Sequence, residues 1–163
     1  MSKYIYAYAD ASYCPMSGRA GMGLWAVSLN ANKQDSRMIP GGASSSGEAE
    51  ALALMRAASL ALDHFAREDD TIVAISDCEE AVDLLNGVRP PKSTMDRLVR
   101  DRGELVRAAT LLGVNLKFER FGDHRALSDA AKAIHTWCDR AARQVVAETS
   151  AFQALSASGL RVA

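Results

Sequence analysis

Four acidic residues, Asp10, Glu50, Asp77 and Asp139, each stand where a short apolar run ends or a helix begins. Three lie in phrases that packing does not account for: Tyr8-Ala9-Asp10-Ala11-Ser12, Ala49-Glu50-Ala51-Leu52-Ala53 and Ile75-Ser76-Asp77-Cys78. A carboxylate beside a hydrophobic strand is costly to desolvate unless something positive neutralises it. If four such groups converge without matching bases, a hard divalent cation is the partner their oxygens suit. Each acid also has a plainer reading taken alone. Asp10 could be a strand-end turn acid, Asp77 the N-cap of the next helix, and Asp139 a solvated helical acid. Their joint occurrence favours a site.

The elements that must position them follow from periodicity and turn residues. Lys3 to Ala9 reads as a first strand ending at Asp10, Gly21 to Leu29 as a second, and Gln34 to Ile39 as a third, with Asn30-Ala31-Asn32-Lys33 as a turn. Short links of this kind favour an antiparallel meander. Ser45 and Glu48 have capping-box spacing ahead of an Ala/Leu-rich helix over about Gly47 to Ala66, apolar nearly all round and so covered on more than one side. Thr71 to Ile75 is a continuous apolar run, as in a buried parallel strand, and Asp77 follows it. A short helix from Glu79 closes at Asn86-Gly87, and Ser93 is the expected cap of a helix to about Leu112, closed by Gly113. Val114 to Phe121 alternates as a last strand, a polar loop spans Gly122 to Ser128, and a final helix runs from about Asp129 to Glu148. A right-handed crossover then lays strand four beside strand one. The expectation is an α/β fold with a mixed five-stranded sheet of order 3-2-1-4-5, strand 2 antiparallel, and helices on both faces. Residues 1–148 would form the domain and 149–163 a weakly patterned tail. This order puts Asp10 and Asp77 at the carboxyl ends of neighbouring strands, the edge where open α/β sheets place their sites. Glu50, in the first turn of the helix, would lean over the same edge.

The 163 residues suffice for one well-buried core, at 48% hydrophobic and 24% charged. No apolar stretch approaches the roughly 20 residues that span a bilayer, and Met1-Ser2-Lys3-Tyr4 lacks the apolar segment of a secretory signal. Cys14, Cys78 and Cys138 are odd in number and form no CxxC pair, which fits reduced thiols in a cytoplasmic monomer and disfavours a zinc site. A net charge of −1, from 19 basic and 20 acidic residues, neither announces nor excludes a nucleic-acid partner.

The phrases resemble those of the type 1 ribonucleases H. Asp10-Ala11-Ser12 with Gly21-Met22-Gly23 resembles that family's D-G-S and glycine-rich second strand. Ser45-Ser46-Gly47-Glu48-Ala49-Glu50-Ala51-Leu52-Ala53-Leu54 resembles T-N-N-x-A-E-x-x-A-L, Ser76-Asp77-Cys78 resembles S-D-S, and Cys138-Asp139-Arg140-Ala141-Ala142-Arg143 resembles A-D-x-L-A-R. The similarity spans roughly residues 3 to 143. Its A-E-x-x-A-L frame selects Glu50 over Glu48 as the second acid, and Glu48 is also the expected capping-box acid. The basic protrusion of some bacterial members is absent.

The resemblance implies a metal-dependent endonuclease that hydrolyses the RNA strand of RNA–DNA hybrids, with two Mg²⁺ about 3.5–4 Å apart and Mn²⁺ able to substitute. It implies Asp10 as bridging ligand, Glu50 and Asp77 on one ion and Asp139 on the other. His124 would handle protons or product release, and Ser12, Ser45 and Ser46 would touch substrate. Ser46 and Gly47 replace the family's paired asparagines, Glu79 a glutamine and His135 an asparagine. His64 and His135 read as structural or surface residues, and Trp25 and Trp137 as packing. Arg89, Lys92, Arg97, Arg100 and Arg102 could form a modest phosphate-contacting face. Two other readings remain on this fold. One is a catalytically weak or inactive nucleic-acid-binding or interaction module. The other is a 3′–5′ exonuclease, although such enzymes pair acids as D-x-E where this chain has Asp10-Ala11-Ser12.

Overall fold

The computed structural model describes residues 3–123 and 128–157. The elements are β1 (Tyr4–Tyr13), β2 (Ala20–Ser28), β3 (Ala31–Met38), α1 (Ser46–His64), β4 (Thr71–Ser76), α2 (Glu79–Asn86), α3 (Asp96–Leu111), β5 (Asn115–Arg120) and α4 (Asp129–Ala157), with a 3₁₀ turn at Phe121–Asp123. The sheet order is β3-β2-β1-β4-β5. β1 pairs antiparallel with β2 and parallel with β4, and β4 pairs parallel with β5. This is the expected topology.

Two layers cover the sheet because strand side chains alternate. Ile5, Ala7 and Ala9 of β1 and Ile72 and Ala74 of β4 face α1 and share the larger core with Leu54, Leu85, Met95 and Leu98. Tyr8, Val73 and Ile75 face the other way, onto Cys138 and its neighbours in α4. Helix α1 is buried along most of its length, including Ala49, Ala53 and Ala57, and packs against β1, β2, β4, α2 and α3. Its apolar circumference is explained by those several neighbours. Asp70, itself buried, accepts the backbone N–H groups of Lys3 and Arg67 and pins the start of β1 beside β4.

Several boundaries differ from expectation. β1 does not stop before Asp10. It outruns the parallel ladder, whose last pair is Tyr8 with Ile75, and continues on β2 alone through Tyr13. The turn after β2 is Leu29-Asn30, since Ser28 already pairs with Ala31. Ser93 does not cap α3; the chain turns from Lys92 to Met95, and Met95 takes the N-cap position with no side-chain bond and its side chain fully buried. Burial of that methionine outweighs the local capping preference. Helix α4 continues past Glu148 to Ala157. Among the described residues no helix is long and apolar enough to cross a membrane, and Cys14, Cys78 and Cys138 are free thiols.

Two glycines of β2 set the seat of α4. A Cβ on Gly21 would lie 2.7 Å from the Ala142 carbonyl oxygen, and one on Gly23 would lie 2.8 Å from the Cys138 carbonyl carbon. The α4 backbone therefore rests on the β2 backbone, and no side chain fits between them. Gly23→Ala should cost about 3 kcal/mol, at the upper end of overpacking penalties because backbone rather than a side-chain tip must give way. Gly103, within α3, is open: a Cβ added there would meet nothing within 4 Å. Gly103→Ala should therefore stabilise by about 0.5–1 kcal/mol. Chemical denaturation of both variants checks the pair, and a neutral Gly23→Ala would refute the contact.

Candidate active site

The acid phrases meet where β1 outruns β4. Asp10 pairs with Gly23 across the strands, is only 8% exposed, and accepts the Ala11 N–H at 2.8 Å. Glu50 arrives from the opposite face, one turn into α1, and its carboxyl group meets that of Asp10. The cap of α1 decides which glutamate is available. Ser45 Oγ accepts the Glu48 N–H at 3.1 Å. The Glu48 carboxylate in turn takes both the N–H and the hydroxyl of Ser44 at 2.6 Å, one residue away from the usual capping-box partner. Glu48 is thereby committed, and Glu50 is the acid left beside Asp10.

Asp77 follows β4 directly. Ser76, fully buried, accepts the Cys78 N–H at 3.1 Å, a local turn that throws Asp77 out to solvent. Cys78 rather than Asp77 occupies the N-cap of α2 and makes no side-chain cap bond, so capping does not explain Asp77. Its Oδ1 instead lies 3.6 Å from His135 Nε2 on α4. Asp139 stands one turn further along α4 and pairs with Arg143 at 2.7 Å. Its charge is felt at His135, and Cys138, next to it, donates a long bond to the Tyr8 carbonyl at 3.8 Å. The seat of α4 on Gly21 and Gly23 is what brings His135 and Asp139 to this edge.

Electrostatics separate the acids. Burial, then the neighbouring Asp10 charge, pushes the Glu50 carboxyl up to about 9. Burial also raises Asp10, against the hydrogen bond from Glu50 and the charge of His135. The pair therefore holds a proton at neutral pH, as two adjacent carboxyls in a poorly solvated place must. The His135 imidazole lowers Asp77, and Asp77 raises His135 in return. Among the described residues no lysine or arginine pairs with Asp10 or Glu50, and Glu50 Oε2 is buried without a hydrogen-bond partner. No three His, Cys, Asp or Glu groups among the described residues are gathered tightly enough to enclose an ion. The Asp10–Glu50 pair keeps a proton, Asp77 faces His135 and Asp139 pairs with Arg143.

The other expected site residues are placed as follows. Ser12 lies on the Asp10 face of β1, opposite Gly21. Ser45 is the α1 cap and Ser46 is exposed as the first residue of the helix. His124 lies outside the described residues. The suggested basic face is largely engaged in structure. Arg97 donates to the Pro40 and Gly42 carbonyls, Arg102 to the Leu85 carbonyl, Arg89 pairs with Glu80 and Arg100 with Asp101. The Lys92 side chain alone of that set makes no ion pair or hydrogen bond among the described residues. Trp25 and Trp137 pack edge to face at 5.2 Å, as packing residues do. His135 is the residue that sequence reasoning assigned to structure or surface; its i,i+4 spacing to Asp139 was the available signal. A cavity of ≈ 490 Å³ between α1 and α3, lined by Leu52, Met55 and Leu105 with a charged rim, contains none of the four acids.

Sheet order, two-sided helical cover and this acid edge define a ribonuclease H-like fold. Residues 9–114 match the family described as reverse transcriptase-like, and the chain belongs to that family, with the architecture of the type 1 ribonucleases H. Among solved structures it is similar to RNase H1 of the halophilic archaeon Halobacterium salinarum (TM-score 0.65, 20% identity, covering 89% of this chain and 98% of that one). It is similar also to the N-terminal RNase H domain of a Mycobacterium tuberculosis protein (0.64, 19%, 91% and 98%), and to LC11-RNase H1 from a compost metagenome, solved with an RNA/DNA hybrid (0.63, 18%, 89% and 98%). No curated protein matches the chain.

The raised Glu50 carboxyl has a stability consequence. Below its ordinary value of 4.5 the group is neutral in both folded and unfolded chains. As pH rises toward about 9 the unfolded chain releases the proton while the folded chain keeps it, so stability falls across that window. Glu50→Gln removes the penalty. It should raise folding stability on the order of 1–3 kcal/mol near about pH 8, with the gain vanishing toward about pH 4. Thermal melts over that range check it, and a gain independent of pH would contradict the assignment.

Proposed function

We propose that this protein is a divalent-metal-dependent endonuclease that hydrolyses the RNA strand of RNA–DNA hybrids. The observation that carries the reading is the Asp10–Glu50 carboxyl pair, held together at a sheet edge with, among the described residues, no lysine or arginine paired to it and one oxygen without a partner. An arrangement that penalises folding in this way is expected where a cation replaces the proton. The donors fit, since carboxylate oxygens suit Mg²⁺ and Mn²⁺. Asp10, Glu50, Asp77 and Asp139 would hold two ions. When bound, these supply Lewis-acid polarisation of the phosphodiester and a more acidic water.

The chain's own groups do the rest. The Ala11 N–H fixes one Asp10 oxygen and leaves the other toward the site. To hold the cations Glu50 would give up its proton and Asp139 would release Arg143. Ser46, at the exposed N-terminus of α1, with Ser45 at its cap and Ser12 on the Asp10 face of β1, would offer hydroxyls and helix N–H groups to phosphate and 2′-hydroxyl oxygens. His124 would take or deliver the proton on the leaving side. With serine and glycine in place of the paired asparagines and most nearby arginines engaged, hybrid binding should be weak and salt-sensitive. The hybrid-bound compost relative supports this choice of substrate class.

Cleavage of a labelled RNA–DNA hybrid, beside duplex DNA, duplex RNA and single strands, tests the reading with Mg²⁺ or Mn²⁺ added. The RNA strand of the hybrid should be cut only with the cation present. Since even outer-shell partners of a metal contribute about 10–100-fold, Asp10→Asn and Asp139→Asn should lose more than about 100-fold. Cleavage without metal, or full activity in Asp10→Asn, would sink the mechanism. Binding without cleavage of any substrate would favour the inactive-module alternative.

A further inference from the structure

His135 has no role in the set of four acids, yet α4 delivers it into their midst. Its side chain is 16% exposed, its ring packs against Phe121 at 4.8 Å, and its buried Nε2 has no hydrogen-bond partner among the described residues. The atom facing it is Asp77 Oδ1, at 3.6 Å. That separation is too long for a hydrogen bond. It is the spacing of a ligand pair, because two donors each about 2.1 Å from one ion, at an angle of about 90–120°, stand about 3.0–3.6 Å apart. Asp139 follows four residues later on the same helix face.

We propose that His135 Nε2 is a metal ligand, adding one nitrogen donor beside Asp77 and biasing the site toward Mn²⁺ and other first-row transition ions over Mg²⁺. The inference rests on the metal-dependent reading above and deepens it. Imidazole is a good donor for transition ions, whereas Mg²⁺ holds to oxygen ligands and its own waters. The alternative use of the same geometry is a simple ion pair, in which His135⁺ occupies the place of a cation and leaves when one binds. The two differ in whether nitrogen stays on the metal.

The test is pulsed electron paramagnetic resonance on the full chain with Mn²⁺ alone, reading the nitrogen-14 modulation of a directly bound imidazole, together with calorimetric titration of Mn²⁺ and Mg²⁺. Wild type should show the nitrogen signal, and His135→Asn and His135→Gln should both lose it. Their Mn²⁺ affinity should fall about 10-fold or more, with Mg²⁺ affinity changing much less. Mn²⁺ bound by wild type without a nitrogen signal, or a signal that survives His135→Asn, overturns the assignment and leaves the acid site standing. Failure of wild type to bind either ion overturns both this inference and the metal-dependent reading. The wild-type spectrum alone decides the matter if a variant does not fold.

Discussion

Two carboxyl groups pressed together, with no lysine or arginine paired to them among the described residues, set the terms for the site. Asp10 reaches its position because β1 continues beyond the last residue that β4 can pair with, and Glu50 reaches it because Glu48 is consumed by Ser44 at the helix cap. Left alone, such a pair keeps a proton and carries a desolvation cost. Nearby, Asp77 and Asp139 are quieted by His135 and Arg143. The proton of the pair and the Arg143 contact are both replaceable by cations, and that shared property is the strongest physical argument for treating the edge as a site.

The pair by itself is half of the arrangement. The other half comes from α4, and α4 depends on the absence of side chains on Gly21 and Gly23. Backbone-to-backbone approach fixes both the height and the rotation of the helix, which decides that Cys138 faces the sheet while His135 and Asp139 flank it. Gly23 also lies opposite Asp10 in the ladder. One position of β2 therefore leaves room for the first acid and seats the helix carrying the fourth.

Much of the fold was legible. Strand runs differ from helical ones by period, and the short links among the first three strands leave few topologies once right-handed crossover is required. Asp10 and Asp77 followed from that order without outside help. Other features depended on tertiary contacts that no local pattern encodes. Ser93 had the right chemistry for a cap, but burying Met95 moved the start of α3. The aromatic, β-compatible run from Lys3 to Ala9 suggested a strand ending at Asp10, whereas pairing with β2 carries it on to Tyr13. The approach of Asp139 was expected only from family resemblance, because the path of α4 is set by glycines two strands away. His135 was passed over for the same reason: spacing showed that it shared a face with Asp139, and only the packed helix shows what that face meets. The arginines show the same limit, since charge alone suggested phosphate contacts and only the fold shows Arg97 and Arg102 holding carbonyls while Arg89 and Arg100 pair with acids.

The central claim is that the proton of the Asp10–Glu50 pair stands in for a metal cation. Calorimetric titration of Mg²⁺ or Mn²⁺ into the protein near neutral pH, repeated in buffers of different ionisation heats, measures the protons displaced. Binding should displace the proton held by the pair, and Glu50→Gln should lower the measured release by about one proton. Cation binding with no proton released, or no binding at the acid edge at all, would contradict the account.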